Sequence, residues 1–331
     1  MSFHHSLLLA SAALTLTYPI AASACACGCG IFDVGAGTVT PVASDSGFSG
    51  WLRYDTMDQT RNHERGADAP ASDNSDKRIQ TSFFTIGGEY MVSRKWTVMA
   101  ELPIVRRNFS TTAVDSGGKG LIETVPLTAL GDGVIQITYS GFSPDMGTGV
   151  SFGVKLPTGR STSPLDRYGN APYDRDTLPG TGSTDLQVGG YHVGGMAPQL
   201  NWFGQVQYRF AVASRDGYRP GNDLNGALGL SYDLVDRGSG SRFGIAPTLQ
   251  LLGSLRAHDT GANADPLNSG YKRLMIAPGG KLQLSRKLSV FGDVEVPVAQ
   301  YTNAARSPMI EGKAGQLVAP VLINFQVNYG F

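Results

Sequence analysis

The sequence predicts an all-β fold: a transmembrane up-and-down antiparallel β-barrel of about 12 strands, with short periplasmic turns and long extracellular loops. Three observations predict it. The chain ends I-N-F-Q-V-N-Y-G-F, so that Ile323, Phe325, Val327, Tyr329 and Phe331 share one face of an extended strand and Asn324, Gln326, Asn328 and Gly330 the other. Upstream, extended segments of about ten residues are joined by connections that alternate between short and long. The composition is 41% hydrophobic and 16% charged with 43 glycines in 331 residues. Past the N-terminus it holds no run of about twenty apolar residues, which a helical membrane protein would need. A barrel needs none, because only alternate residues meet lipid. A β-sandwich would fit the composition equally well but has no reason to sort its connections by length.

Residues 1–24 read as a secretory signal peptide, with an apolar run from Leu7 to Leu16 and a small-residue site at Ala22-Ser23-Ala24. Cleavage there would leave a mature N-terminus reading C-A-C-G-C-G, and Cys25, Cys27 and Cys29 are the only cysteines. Residues 25–46 are expected to form a periplasmic segment carrying these thiols, as a plug or a metal site, ahead of a barrel over 47–331. Three thiolates at this spacing suit a soft ion such as copper(I) or zinc. A disulfide or attachment to a partner, lipidation of Cys25, and no role at all are the other readings. No C-x-x-C-H occurs for haem attachment.

In order, the alternating segments are Phe48–Met57, Gln80–Val92, Trp96–Val105, Leu130–Gly141, Gly149–Pro157 and Gly182–Val193. They continue with Leu200–Val212, Leu224–Leu234, Phe243–Leu255, Tyr271–Leu284, Leu288–Ala299 and Gln316–Phe331. With both termini periplasmic, the stretches 58–79, 108–129, 158–181, 213–221, 256–269 and 301–315 become the outer loops. Pro103 and Pro297 are placed at the extracellular rim, since proline cannot donate to a ladder. Residues 87–96 and 279–288 resemble one another, G-G-x-x-x-x-S-R-K followed by an apolar residue, as duplicated hairpins would.

Giving the apolar face to lipid points Arg53, Asp55, Glu89, Glu101, Lys155, Gln205, Gln207, Arg209, Lys281, Asp293, Glu295, Asn324, Gln326 and Asn328 into the lumen. Paired charges that merely fill the bore, or a polar path for a small solute, both follow from such a set. Phe325, Val327, Tyr329 and Phe331 form the terminal aromatic strand that the barrel assembly machinery reads. Outer-membrane lipid and lipopolysaccharide are the expected surroundings. The formal net charge of zero gives no field for nucleic acid. Catalysis is not expected: a rim lipase needs Ser, His and an orienting group together, only His63, His192 and His258 lie beyond the leader, and no G-x-S-x-G occurs.

Lys155-Leu156-Pro157-Thr158-Gly159 and Leu178-Pro179-Gly180-Thr181-Gly182-Ser183-Thr184-Asp185 resemble the paired K-x-P-T-G and G-T-G-S-x-D segments of a family of outer-membrane transporters. That family is named after the meta-cleavage pathway of phenol degradation. The likeness covers residues from about 130 to 195, and the Cys25-Cys27-Cys29 segment looks like a subgroup feature. It implies a barrel in the bacterial outer membrane and says little of substrate. The expectation is a channel or transporter for a small solute, whose N-terminal thiols bind a soft metal. The alternative is a scaffold barrel docking a periplasmic redox or metal protein through those cysteines.

Overall fold

The computed structural model describes residues 34–39, 47–169, 173, 175–235, 243–304 and 315–331. Within them lie β1 (Gly47–Gln59), β2 (Arg61–Glu64), β3 (Ala67–Asp68), β4 (Asp76–Ser93), β5 (Trp96–Val114), β6 (Gly120–Leu130), β7 (Gly133–Tyr139) and β8 (Thr148–Leu156). They are followed by β9 (Thr184–Ala197), β10 (Leu200–Ala213), β11 (Asp223–Tyr232), β12 (Gly244–Arg256), β13 (Tyr271–Gln283), β14 (Leu288–Thr302), β15 (Gln316–Val318) and β16 (Leu322–Gly330). A single helical turn, α1 (Ala36–Val39), precedes them.

Each barrel strand pairs antiparallel with its neighbours, and the wall closes where β1 meets both β4 and β16. Strands β6 and β7 lie end to end along β5, so the wall has twelve positions. Closure leaves no exposed edge at membrane depth, where an unpaired peptide group has no water to bond. The outer face carries Leu52, Ile86, Ile135, Phe152, Leu228, Leu251 and Ile323, all exposed. Near the ends joined by short turns, aromatic rings gather as an interfacial girdle: Phe48 with Phe331 at 5.3 Å, Trp96 with Tyr139 at 4.8 Å.

Four expectations are corrected. Residues 108–129 are not a loop: β5 runs on to Val114 and pairs with β6 from Ile104↔Leu130 to Val114↔Gly120. Phe109, Thr111 and Ala113 keep the inward alternation, while the outward side turns polar. A strand that has risen above lipid needs no greasy outer face, and that is what hid it. The segment 130–141 is interrupted at Gly131-Asp132, between β6 and β7. Pro103 sits within β5 beside that interruption, with the Gly131 N–H bonded to its carbonyl at 2.8 Å. Pro297 sits within β14 opposite a register shift at Leu274/Met275. Each proline is thus absorbed by a break in the adjacent ladder rather than by the rim. Finally, 316–331 is two pieces: β15 leaves the wall and joins β2 and β3 in a small sheet over the extracellular mouth.

Inside the barrel the filling is uneven. Met57, Phe203, Ala227, Leu252, Met275, Ala277, Phe291, Ala319 and Leu322 bury together around Val34 and Ala36 of the N-terminal segment. This apolar cluster lies against β1 and β10–β16.

Candidate functional site

Residues 34–38 enter the lumen and are tied to the wall by amide side chains. The Gly35 N–H donates to Gln205 Oε1 at 2.9 Å and the Ala36 N–H to Gln250 Oε1 at 2.7 Å. Thr38 Oγ1 donates to the same Gln205 oxygen at 3.0 Å, and Gln326 Nε2 to the Gly37 carbonyl at 3.2 Å. One helical turn cannot satisfy its own first amides, so glutamines from β10 and β12 accept from them, while Gln326 of β16 donates to the Gly37 carbonyl. Ala36 is 1% exposed and fits only because it is small.

Beside this plug, two cavities open in the lumen among the described residues. The one nearer the short-turn end holds about 170 Å³ and is lined by Thr38, Trp51, Arg53, Glu89, Met99, Glu101, Gln136, Gln187, Gln205, Gln207, Gln326 and Asn328 among others. Trp51 lies flat against Gly87, where a Cβ would fall 2.1 Å from its ring, so that glycine makes the room the indole uses. The cavity nearer the long loops holds about 190 Å³ and is lined by Thr85, Val105, Asp132, Lys155, Thr181, Asp185, Arg209, Asp223 and Arg256 among others. Both cavities reach Arg53, Glu101 and Val134. Arg53 bonds to Asp55 at 3.2 Å and lies 3.7 Å from Glu101, so a buried ion-paired guanidinium stands where the two meet.

The paired motifs of the sequence form one polar knot in the upper wall. Lys155 Nζ pairs with Asp132 at 2.8 Å and Asp185 at 3.0 Å, and bonds to Thr181 Oγ1. Asp132 also accepts from the Gly159 N–H at 3.0 Å and the Thr181 N–H at 2.9 Å. Gly159 and Gly180 cross in backbone contact: a Cβ on Gly180 would lie 2.5 Å from the Gly159 carbonyl carbon. The knot ties the β6–β7 interruption to both ends of the loop over 157–183. Asp132, flanked by Gly131 and Gly133, escaped sequence reading; a lone Asp in G-D-G looks like a turn residue.

Of the lumen residues expected from sequence, Arg53, Glu89, Glu101, Gln205, Gln207, Gln326 and Asn328 line the first cavity. Lys155 and Arg209 line the second, where Arg209 pairs with Asp223 at 3.0 Å. Asp55, Lys281, Asp293, Glu295 and Asn324 line neither. Phe325, Tyr329 and Phe331 are exposed on the outer face and Val327 is half-buried. Cys25, Cys27 and Cys29, with the signal segment, lie outside the described residues. His192 bonds to Thr148 Oγ1 at 2.8 Å and packs at a tilt against Trp202, while His63 bonds to Asp68 at 3.1 Å within the small sheet of β2, β3 and β15.

Over the outer mouth, Gln59 Nε2 bonds to the Leu317 carbonyl at 2.7 Å and Asn74 Nδ2 to that of Gly315 at 3.2 Å. The loop over 157–183 leans on the β5–β6 extension through Tyr173, whose ring meets Phe109 edge-on and whose hydroxyl bonds to Glu123 at 2.7 Å. Burial, then that hydrogen bond to a carboxylate, push the Tyr173 phenol above its ordinary range.

Among solved structures, the chain is similar to an outer membrane channel from Pseudomonas putida F1, at 12% identity and a TM-score of 0.62, over 91% of this chain and 100% of that one. That likeness supports the barrel fold. It also aligns with a monoaromatic hydrocarbon channel, CymD, at 12% identity and a TM-score of 0.44, over 91% of this chain and 94% of that one. The β domain of the Bordetella autotransporter BrkA aligns at 12% identity and a TM-score of 0.48, over 86% and 100%. No protein-family model matches the chain, and neither does any curated protein.

Proposed function

We propose that this chain is a channel of the bacterial outer membrane that passes a small solute along the β4–β10 side of its bore. The observation that carries this reading is the pair of polar cavities meeting at Arg53 and Glu101, beside the N-terminal plug. Lining by amides, hydroxyls and both signs of charge suits a solute that hydrogen-bonds along its way. The N-terminal plug and the extracellular cap make the resting conductance small. Membership in the transporters named after phenol meta-cleavage rests on the Lys155–Gly159 and Leu178–Asp185 segments. A soft-metal or docking role for Cys25, Cys27 and Cys29 rests on their spacing alone.

Planar-bilayer recording tests the channel. The full chain should give small discrete steps, and removal of residues up to 38 should enlarge them. An absence of steps from both proteins would sink the proposal and leave a scaffold barrel.

A further inference from the structure

The outer face of the barrel is dented where two strands set glycines side by side. Gly226 of β11 stands directly opposite Gly253 of β12. Strand alternation turns both outward, between the exposed Leu224 and Leu228 on one strand and Leu251 and Leu255 on the other. A Cβ on Gly226 would meet nothing nearer than 3.5 Å, and one on Gly253 nothing nearer than 4.0 Å. At Gly87 and Gly229, by contrast, the space is taken by the rings of Trp51 and Phe203. No side chain of the barrel fills the dent at Gly226 and Gly253, which opens as a groove of about 610 Å³ walled by Leu224, Leu228, Leu251, Leu255, Leu274 and Tyr301. A glycine inside a strand weakens that strand, and it often marks a place where a ligand comes close.

The groove has a charged end. Lys272 is exposed on the same outer face, facing Leu255 on one neighbouring strand and Tyr301 on the other. It lies two positions from Leu274, which faces Gly253, so the cation stands about 7 Å along the strand from the glycine row. Its Nζ is 5.6 Å from the centre of the Tyr301 ring, and no carboxylate pairs with it among the described residues. Arg65, also exposed, is close by, its carbonyl accepting from the Thr302 N–H at 2.8 Å. Glu64 adjoins Arg65, so Lys272 is the charge on which the end of the groove depends. Leu224, Leu255, Lys272 and Tyr301 all lie next to the ends of their strands that lead into the long loops. The groove therefore occupies the outer leaflet, with its cation toward the head groups and its glycines toward the acyl chains.

We propose that this groove binds a phosphorylated, multiply acylated glycolipid of the outer leaflet, the lipid A part of lipopolysaccharide. One acyl chain lies over Gly226 and Gly253, and a phosphate meets Lys272. The two halves of the groove match the two halves of that lipid: an apolar trough for the chain and an unpaired lysine at head-group depth for the anion. The site lies on the outside of the wall and is independent of whether the bore conducts.

The test is native mass spectrometry of the full chain, refolded free of lipid in detergent and titrated with bisphosphorylated lipid A. Gly253→Leu fills the trough, Lys272→Gln removes the charge, and Lys95→Gln, in the β4–β5 turn at the other end of the barrel, is the control. Wild type and the control should retain one lipid A per chain. Both site variants should hold it about fivefold more weakly, and dephosphorylated lipid A should bind wild type about as weakly as lipid A binds Lys272→Gln. Heat-modifiable electrophoretic mobility checks that each variant has folded; if Gly253→Leu does not fold, Lys272→Gln and the dephosphorylated lipid carry the test. A wild type without stoichiometric lipid A overturns the site, as does either folded variant binding like wild type. Phosphatidylglycerol retained as tightly as lipid A overturns it too, because the groove would then hold any anionic lipid.

Discussion

The two halves of the barrel share one outer face and differ in that only one of them buries an apolar cluster around the N-terminal segment. Around β11–β16 the inward positions include Ala227, Leu252, Met275, Ala277, Phe291 and Leu322, buried with Val34 and Ala36 in one apolar cluster among polar neighbours such as Gln250 and Lys281. Around β4–β10 they are Thr85, Glu101, Gln136, Lys155, Gln187, Gln207 and Arg209, which leave space and hold it open with paired charges. Lipid asks the same of every strand, so the outer alternation is uniform. The lumen is where the two halves divide the work: one fixes the plug, the other leaves a path.

This contrast sets the order of mutational costs. Lys155→Ala should cost the most, about 3–5 kcal/mol, because it strands two buried carboxylates, Asp132 and Asp185, in the polar half. Urea unfolding in detergent reads it, and adding Asp132→Asn with Asp185→Asn should recover most of the loss. If Lys155→Ala is nearly neutral, the polar half is solvated rather than structural. Leu252→Ala in the packed half should follow, at about 2–5 kcal/mol for the cavity it opens. Gln136→Ala, which loses the bond from Gln187 Nε2 at 3.0 Å and a long one to Thr138 Oγ1 at 3.4 Å, should cost about 1 kcal/mol. Equal costs for Leu252 and Gln136 would erase the distinction between core and path.

Gln250→Ala sharpens the comparison at the seam. It removes the acceptor of the Ala36 N–H and the donor to Asp293 Oδ2, costs about 1–3 kcal/mol, and should make conductance flicker as the plug loosens. Steady steps identical to wild type would mean that packing of Val34 and Ala36 alone holds the segment.

How far the molecule was legible follows the same division. Where one face meets lipid and the other a polar bore, period two is clean, as in Phe325-Gln326-Val327-Asn328. In the packed half, Leu251-Leu252, Met275-Ile276 and Val290-Phe291 place apolar residues on both faces. Such doublets mark a strand buried on both sides, and they were the available sign that the lumen there is a core. The β5–β6 extension was hidden because its outer face turns polar above lipid. The Lys155 knot was visible only as a motif: nothing in the spacing says that the partner is Asp132.

The smallest effect should lie outside both halves, in the turn between β7 and β8, and it marks the floor of the comparison. Asp145 accepts from the Ser143 hydroxyl and from the Gly147 N–H at 3.1 Å. The Ser143 bond first, then the Gly147 bond, hold its carboxyl below the ordinary aspartate value of 3.8. A carboxyl lowered by folding stabilises the fold above 3.8 and loses that contribution as pH falls through the folded-state value. An asparagine at this position could still accept both bonds through its amide oxygen, so Asp145→Asn removes only the charge-assisted part. Wild type should therefore be slightly the more stable at neutral pH. The gap should close as acid protonates Asp145, since both proteins then present a neutral group to the same donors. Unfolding curves of the two proteins from neutral pH downward read this directly. A gap that stays constant through the whole titration would mean that the carboxyl's shape matters there and its charge does not. A gap as large as that of Leu252→Ala would place structural weight in a turn that bears on neither half.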